Sequence, residues 1–220
     1  MREKMTTKHW RLLGVTGILM PLGMAGAVLY FMHVFVGQYL WKEYNWITTD
    51  ISTLTAVGSP NARLLSIFAL LSGVSQMLFF LGMTIRASRI YHRITTTGYL
   101  LLFTLQLVST FGYTLFPLES DKTVMTFSNL MHIIVTVVGV LLLLSSLYIL
   151  SFGYLKREKL QKTGMMVLAF AVVITLTGVL NPVGMANDWN KLGVTERLNI
   201  FSFEILIFIL SYVYTFQRKR

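Results

Sequence analysis

The sequence predicts an all-α protein, a bundle of six transmembrane helices that forms one integral membrane domain over residues 1–220, and two observations predict it. Charged residue types make up 13% of the chain, well below the roughly 25% that is usual in soluble domains. Six apolar runs are also long enough to cross a hydrocarbon core of about 30 Å as helices that rise about 1.5 Å per residue. These runs lack the alternation of barrel strands, so helices are expected.

The predicted spans alternate with long and short connections. They cover residues 14–37, 62–85, 96–116, 129–153, 164–180 and 198–216. The fifth is the shortest, near the lower end of the roughly 17–25 residues that a transmembrane helix needs. Because proline lacks a backbone N–H, we expect Pro21 to kink the first helix, and Pro117 and Pro182 to end the third and fifth.

Basic residues divide unevenly between the two sets of connections. With the N-terminus placed in the cytoplasm, 14 Lys and Arg residues lie on the inner side and 5 on the outer side. Since cytoplasmic segments of membrane proteins are enriched in these residues, we expect both termini to be cytoplasmic and the protein to lie in the cytoplasmic membrane. The net charge of +10 then reflects topology and contact with anionic lipids rather than nucleic acid.

Several kinds of chemistry are excluded or disfavoured because the sequence lacks the residues or motifs that they need. The chain has no Cys, which excludes disulfides and thiolate chemistry. It has no glycine-rich nucleotide pattern, so no such cofactor is expected. Ser52 lies outside any G-x-S-x-G pattern and has no base next to it in the sequence, so it is a weak candidate nucleophile.

The polar segment 46–63 between the first two spans has internal order. Ile47, Ile51 and Leu54 recur with a spacing that is typical of a short amphipathic helix at the membrane interface. Ser59 is a suitable N-cap for the second transmembrane helix. We therefore expect the segment to be held close to the membrane.

Polar and ionisable residues near the outer ends of the spans are the candidate functional residues. An unpaired ionisable side chain in lipid is costly, so Glu204 predicts either a functional pocket or a structural role. The structural role would be a pair with Arg197 or Lys191, or hydrogen bonds to Tyr or Ser on neighbouring helices. Gln76 and Gln106 lie in the middle of spans, where each is expected to form an interhelical hydrogen bond, with the lining of a pore as the alternative. The candidate outward-facing pocket consists of Asp50, Ser52, Asp121, His132, Arg197 and Glu204.

His33, His132 and Glu204 are the only candidate ligands for a divalent metal. No two of them share a short local spacing, so a site would depend wholly on tertiary structure. Histidines within apolar spans are more often hydrogen-bonded structural residues, and we expect no metal.

Short motifs in a fixed order resemble those of a bacterial membrane family called domain of unknown function 998. They are Asp50-Ile51-Ser52, Gly58-Ser59-Pro60-Asn61-Ala62, Phe116-Pro117, His132 and Gly193-Val194-Thr195-Glu196-Arg197. The resemblance covers nearly the whole chain. It implies six helices in the cytoplasmic membrane and implies no activity.

Three functions fit these observations. The first is a binding protein whose outward-facing pocket recognises a lipid headgroup, a small ligand or a partner protein, with membrane lipids as the expected partners. The second is an intramembrane lipid-acting hydrolase that uses Asp50, His132 and Glu204 as acid, base or metal-binding groups. The third is a small transporter, which is disfavoured because the inner halves of the spans carry few polar residues.

Overall fold

The computed structural model describes residues 16–216. Within that range, six helices are long and apolar enough to span a membrane and no residue is in a β-strand, so the predicted six-helix architecture is confirmed. Residues 14 and 15 of the first predicted span lie outside the described range, as do the terminal basic residues at 2–11 and 218–220. The helices are α1 (Leu22–Leu40), α2 (Ala62–Ile90), α3 (Arg93–Leu115), α4 (Phe127–Phe152), α5 (Gln161–Ala186) and α6 (Leu192–Phe216).

The helices form a closed ring in chain order. Each helix packs against the next one, and α6 packs against α1. Apolar side chains from five of the helices fill one core inside the ring, among them Phe79, Leu102, Leu147, Ile174 and Leu206. Many large apolar side chains are exposed on the outside, which is the surface that lipid covers in a membrane.

The connections at the two ends of the ring differ in length. Residues 41–61, 116–126 and 187–191 join helices at one end, which we call the loop end. Residues 91–92 and 153–160 join helices at the opposite end, which we call the short end. The second of the short-end connections begins as a π-helix that continues directly from α4. Most of the polar loop surface therefore lies at the loop end.

The three prolines affect their helices differently. A turn interrupts the first helix at Pro21, as predicted, and α3 ends immediately before Phe116, ahead of Pro117. The prediction for Pro182 is wrong, because α5 continues through it and has 26 residues, more than predicted for the fifth span. The helix ends only at Ala186, and Asn187 caps that end, with its backbone N–H and side-chain amide both donating to the Val183 carbonyl.

The prediction that Ser59 caps the second transmembrane helix is also wrong. Helix α2 begins two residues later, with Asn61 at its N-cap position. The φ of Asn61 is 59°, in the left-handed region that Asn adopts more readily than most residues. The Ser59 hydroxyl instead donates to the Thr53 carbonyl at 2.6 Å and closes the loop that precedes the helix.

Candidate functional site

Arg197 holds the first loop against the beginning of α6. Its Nη1 donates to the carbonyl oxygens of Trp46, Thr49 and Gly193, at 3.0, 3.3 and 2.9 Å. Its Nη2 donates to the Tyr44 hydroxyl at 2.8 Å, and the guanidinium carbon lies 5.5 Å from the centre of the Tyr44 ring. The protein itself thus supplies acceptors for the Arg197 charge, which gives this residue a structural role.

Two neighbours of Arg197 complete the attachment of the loop. Oε2 of Glu196 accepts a hydrogen bond from the Ile51 N–H at 2.6 Å, at the start of a 3-10 helix that covers Ile51–Thr55. A Cβ at Gly193 would lie 2.4 Å from the carbonyl oxygens of Trp46 and Thr49, closer than any side chain allows. The segment 193–197 therefore forms a docking surface for the first loop.

Tyr44 bonds to the two residues that precede the 3-10 helix. Its hydroxyl donates to the Asp50 carbonyl at 2.7 Å and lies 3.0 Å from the Thr49 carbonyl. Burial raises the pKa of Tyr44 to about 12. The hydroxyl consequently keeps its proton at neutral pH and remains a donor.

Asp50 caps the 3-10 helix and joins the first loop to the second. Its Oδ1 accepts from the Thr53 N–H at 2.9 Å, from the Ser52 hydroxyl at 3.2 Å and from the Thr53 hydroxyl. Its Oδ2 lies 2.5 Å from Nζ of Lys122. Burial alone would raise the pKa of the Asp50 carboxyl, but the hydrogen bond and charge of Lys122 and the bonds from Thr53 outweigh it, so this pKa is lowered.

Glu204 lies buried inside the ring and belongs to a network of side-chain amides. Its Oε2 accepts from Nε2 of Gln76 at 2.7 Å. Oε1 of Gln76 in turn accepts from Nε2 of Gln106 at 2.6 Å, so the interhelical hydrogen bond predicted for the two glutamines is confirmed. Glu204 thus pairs with Gln76, whereas its suggested partner Arg197 bonds to the first loop.

Both histidines near the loop end donate to backbone carbonyls. Nδ1 of His33 lies 3.1 Å from the Leu65 carbonyl oxygen, and Nδ1 of His132 lies 2.9 Å from that of Phe116. Within residues 16–216, no three His, Cys, Asp or Glu side chains lie together in a group that could hold a metal ion. The structure gives each histidine a backbone partner in a different part of the ring.

The six residues of the predicted pocket lie in several separate contacts. Ser52 lies against Asp50, whereas Asp121 is exposed and accepts hydrogen bonds from the N–H and hydroxyl of Thr123. These bonds lower the pKa of the Asp121 carboxyl. His132 and Glu204 each bond to the partners described above. The structure therefore brings Asp50 and Ser52 together, and it distributes the other four among the second loop, α4 and α6.

A cavity of about 530 Å³ opens at the loop end between α5, α6 and the first loop. Asn181 is one of its lining residues, and its Oδ1 is buried and has no hydrogen-bond partner among the described residues. The polar part of the lining includes Thr48, Asn181, Asp188, Asn190, Lys191 and Thr195, and the remainder includes Met185, Trp189 and Leu192. The cavity thus combines both signs of charge, neutral amides and apolar surface.

A model of the family described as Protein of unknown function (DUF998) matches residues 24–213 of this 220-residue chain. The chain belongs to the DUF998 family. No curated protein and no solved structure matches it. The resemblance expected from the sequence motifs is therefore confirmed, and the match extends from α1 into the last turns of α6.

Sequence reasoning missed three important residues of this DUF998 protein. Glu196 lies inside a motif that carried the family resemblance, so its position next to Arg197 was an available signal. Tyr44 is an aromatic residue in a polar loop and carries no distinguishing local pattern. Asn181 precedes Pro182, but its place in a cavity depends on how α5 and α6 pack at the loop end.

Proposed function

We propose that this DUF998 protein binds the headgroup of a membrane phospholipid in the loop-end cavity, and that the headgroup carries a primary amine. The observation that carries the proposal is the buried, unpartnered Oδ1 of Asn181. A buried acceptor without a donor costs about 1–3 kcal/mol. An ammonium group that donates to this oxygen would recover that energy.

The rest of the lining supports a zwitterionic headgroup. Asp188 provides a second acceptor for an amine, and Lys191 provides a cation for the phosphate of the same headgroup. Met185 and Leu192 add apolar surface for the part of the lipid near its acyl chains. Trp189 is a residue type that is enriched where membranes meet water, which is where such a headgroup lies.

We also propose that the loop end faces the outside of the cytoplasmic membrane and that both termini are cytoplasmic. The argument is the excess of basic residues at the short end, where Arg86, Arg89, Arg93, Lys156, Arg157, Lys159 and Lys162 cluster. Reporter fusions at Val57, Lys122 and Lys191 should then report outside, and fusions at Arg89 and Lys159 inside. An inside signal at Lys191 would contradict this orientation.

The headgroup proposal is tested by native mass spectrometry of the purified chain with three phospholipids that have the same acyl chains. Phosphatidylethanolamine has a primary amine, phosphatidylcholine has a methylated amine without N–H donors, and phosphatidylglycerol has no amine. We expect phosphatidylethanolamine to be retained preferentially. Asn181→Leu should weaken its binding about tenfold, which corresponds to about 1.4 kcal/mol.

The matched control is Gln161→Leu, which replaces an exposed amide at the short end. It should leave the binding of all three lipids unchanged. Equal retention of the three lipids by the unmodified chain would contradict the proposal. The same loss in Gln161→Leu as in Asn181→Leu would assign the effect to general destabilisation.

A further inference from the structure

The short end contains a second polar cluster, which is built around Arg86 near the end of α2. The Arg86 side chain is only 7% exposed, yet its Nε and Nη1 have no hydrogen-bond partner among the described residues. Its guanidinium carbon lies 5.4 Å from the centre of the Tyr214 ring, a distance typical of a cation–π contact. That contact leaves three N–H groups unpaired, one on Nε and two on Nη1, and burying unpaired donors of a charged group is costly.

Four tyrosine hydroxyls form a chain of hydrogen bonds beside this arginine. The Tyr214 hydroxyl lies 3.0 Å from that of Tyr91 and 2.5 Å from that of Tyr154, and Tyr154 also bonds to Tyr99. A phenolic hydroxyl has one hydrogen to donate. Three bonds among four hydroxyls therefore use three hydrogens and leave one free for an outside acceptor.

Tyr91 lies at one end of this chain, in the connection between α2 and α3. Burial raises the pKa of Tyr91 above its usual value, which keeps this hydroxyl protonated at neutral pH. The carboxylate whose charge acts on Tyr91 is that of Glu158. Its Oε1 accepts from the His92 N–H at 2.7 Å and from the Thr95 hydroxyl at 2.8 Å. These bonds join Glu158, in the connection at 153–160, to the start of α3, and neither of them involves Arg86.

We propose that Arg86 and the tyrosine chain bind a phosphate group at the short end. The cluster offers three unpaired guanidinium N–H groups and one free hydroxyl hydrogen, so its ligand must be an anion with several acceptors. Phosphate meets this requirement, and the planar guanidinium matches two of its oxygens at once. Arg89 and Arg93 nearby in the sequence add positive charge that attracts an anion to this end.

The phosphate can belong to an anionic phospholipid or to a free phosphate, and both share the recognised chemistry. The test uses the full chain, purified in detergent, stripped of lipid and kept in phosphate-free buffer. Calorimetric titration with inorganic phosphate and with a short-chain phosphatidylglycerol gives an affinity for each source. We expect saturable binding of the lipid probe, of phosphate or of both. Binding of phosphatidylglycerol alone would identify a lipid site, and binding of phosphate alone would identify a site for the free anion.

Arg86→Gln should weaken that binding at least tenfold. Arg89→Gln removes the same charge from an exposed side chain at the same end and should change the affinity less than twofold. Equal losses in the two variants would assign binding to the general charge of the short end and overturn the proposal. The absence of saturable binding with both probes would overturn it as well.

Tyr214→Phe is the second variant, which decides the question if Arg86→Gln does not fold. It keeps the ring that packs beneath Arg86 and removes the hydroxyl that joins Tyr91 to Tyr154. We expect the affinity for the bound probe to fall several-fold. An unchanged affinity in this folded variant would show that the hydroxyl chain has no part in binding and would overturn the proposed site.

Discussion

Arg197 at the loop end and Arg86 at the short end are equally buried, each with 7% of its side chain exposed. Arg197 donates to three backbone carbonyls and one hydroxyl. Arg86 leaves two of its nitrogen atoms without a partner among the described residues. Burial alone therefore does not distinguish the roles of these two cations, and the partners of their N–H groups do. The partners of Arg197 stabilise the fold, whereas the unpartnered nitrogen atoms of Arg86 are those that we propose for a ligand.

The largest expected effect comes from replacing each arginine with methionine. Arg197→Met leaves the carbonyls of Trp46 and Thr49 without their donor, and we expect the free energy of unfolding to fall by about 1–3 kcal/mol for each acceptor left buried and unpaired. Arg86→Met removes a buried charge that lacks partners, and we expect no loss of stability in the absence of a ligand. Thermal unfolding of both variants in detergent, in phosphate-free buffer, measures the difference.

A large loss of stability in Arg86→Met would contradict this contrast between the two ends. It would mean that the cation–π contact with Tyr214 contributes more than the desolvation of Arg86 costs.

The fluorescence of Trp46 should change at a lower temperature in Arg197→Met than in the unmodified chain, because the loop that contains Trp46 loses its attachment to α6.

The helical architecture could be predicted because it depends on properties that the local sequence carries. Span number follows from the length and composition of the apolar runs, and interhelical hydrogen bonding by Gln76 and Gln106 follows from isolated amides in apolar surroundings. The errors at Ser59 and Pro182 have a common cause. Both predictions relied on local preferences that the structure does not follow, since the Ser59 hydroxyl bonds to Thr53 and α5 continues past Pro182 to its cap at Asn187.

The partners within the candidate site could not be predicted in the same way. Arg197 bonds to backbone carbonyls about 150 positions earlier in the chain, and any residue type can supply a carbonyl. Glu204 bonds to Gln76 across the interior of the ring, from a helix that packs against α1 and α5. The sequence marks both residues as needing partners but contains no signal that identifies those partners.

An intermediate effect is expected inside the ring, where Gln76 lies between Gln106 and Glu204. Gln106→Leu leaves Oε1 of Gln76 without its donor, and we expect a loss of about 1–2 kcal/mol in the free energy of unfolding. Gln76→Leu removes both interhelical bonds of Gln76 and should cost more. The double variant should cost less than the sum of the two, since no amide remains unpaired between these positions. Additive losses, measured by thermal or denaturant unfolding, would show that the two amides are not coupled.

The smallest effect is expected for the Asp50–Lys122 ion pair, in which both charges have a partner but the lysine is exposed. Lys122 is 38% exposed, and exposed pairs contribute at most about 1 kcal/mol. Because the pKa of Asp50 is lowered in the folded protein, the contribution of its charge is complete above its usual pKa of about 3.9 and decreases as the pH falls through the lower folded-state value.

Lys122→Met should therefore lower the unfolding temperature slightly at neutral pH, and its difference from the unmodified chain should shrink as the pH falls below about 4. Asp50→Asn is the control. Its side chain is uncharged at every pH, so the unfolding temperature of this variant should not depend on the titration of residue 50. A difference that persists unchanged at low pH would mean that Lys122 acts through its hydrogen bond to the Thr53 hydroxyl. The loop end would then be held by hydrogen bonds alone, with Arg197 as its main donor.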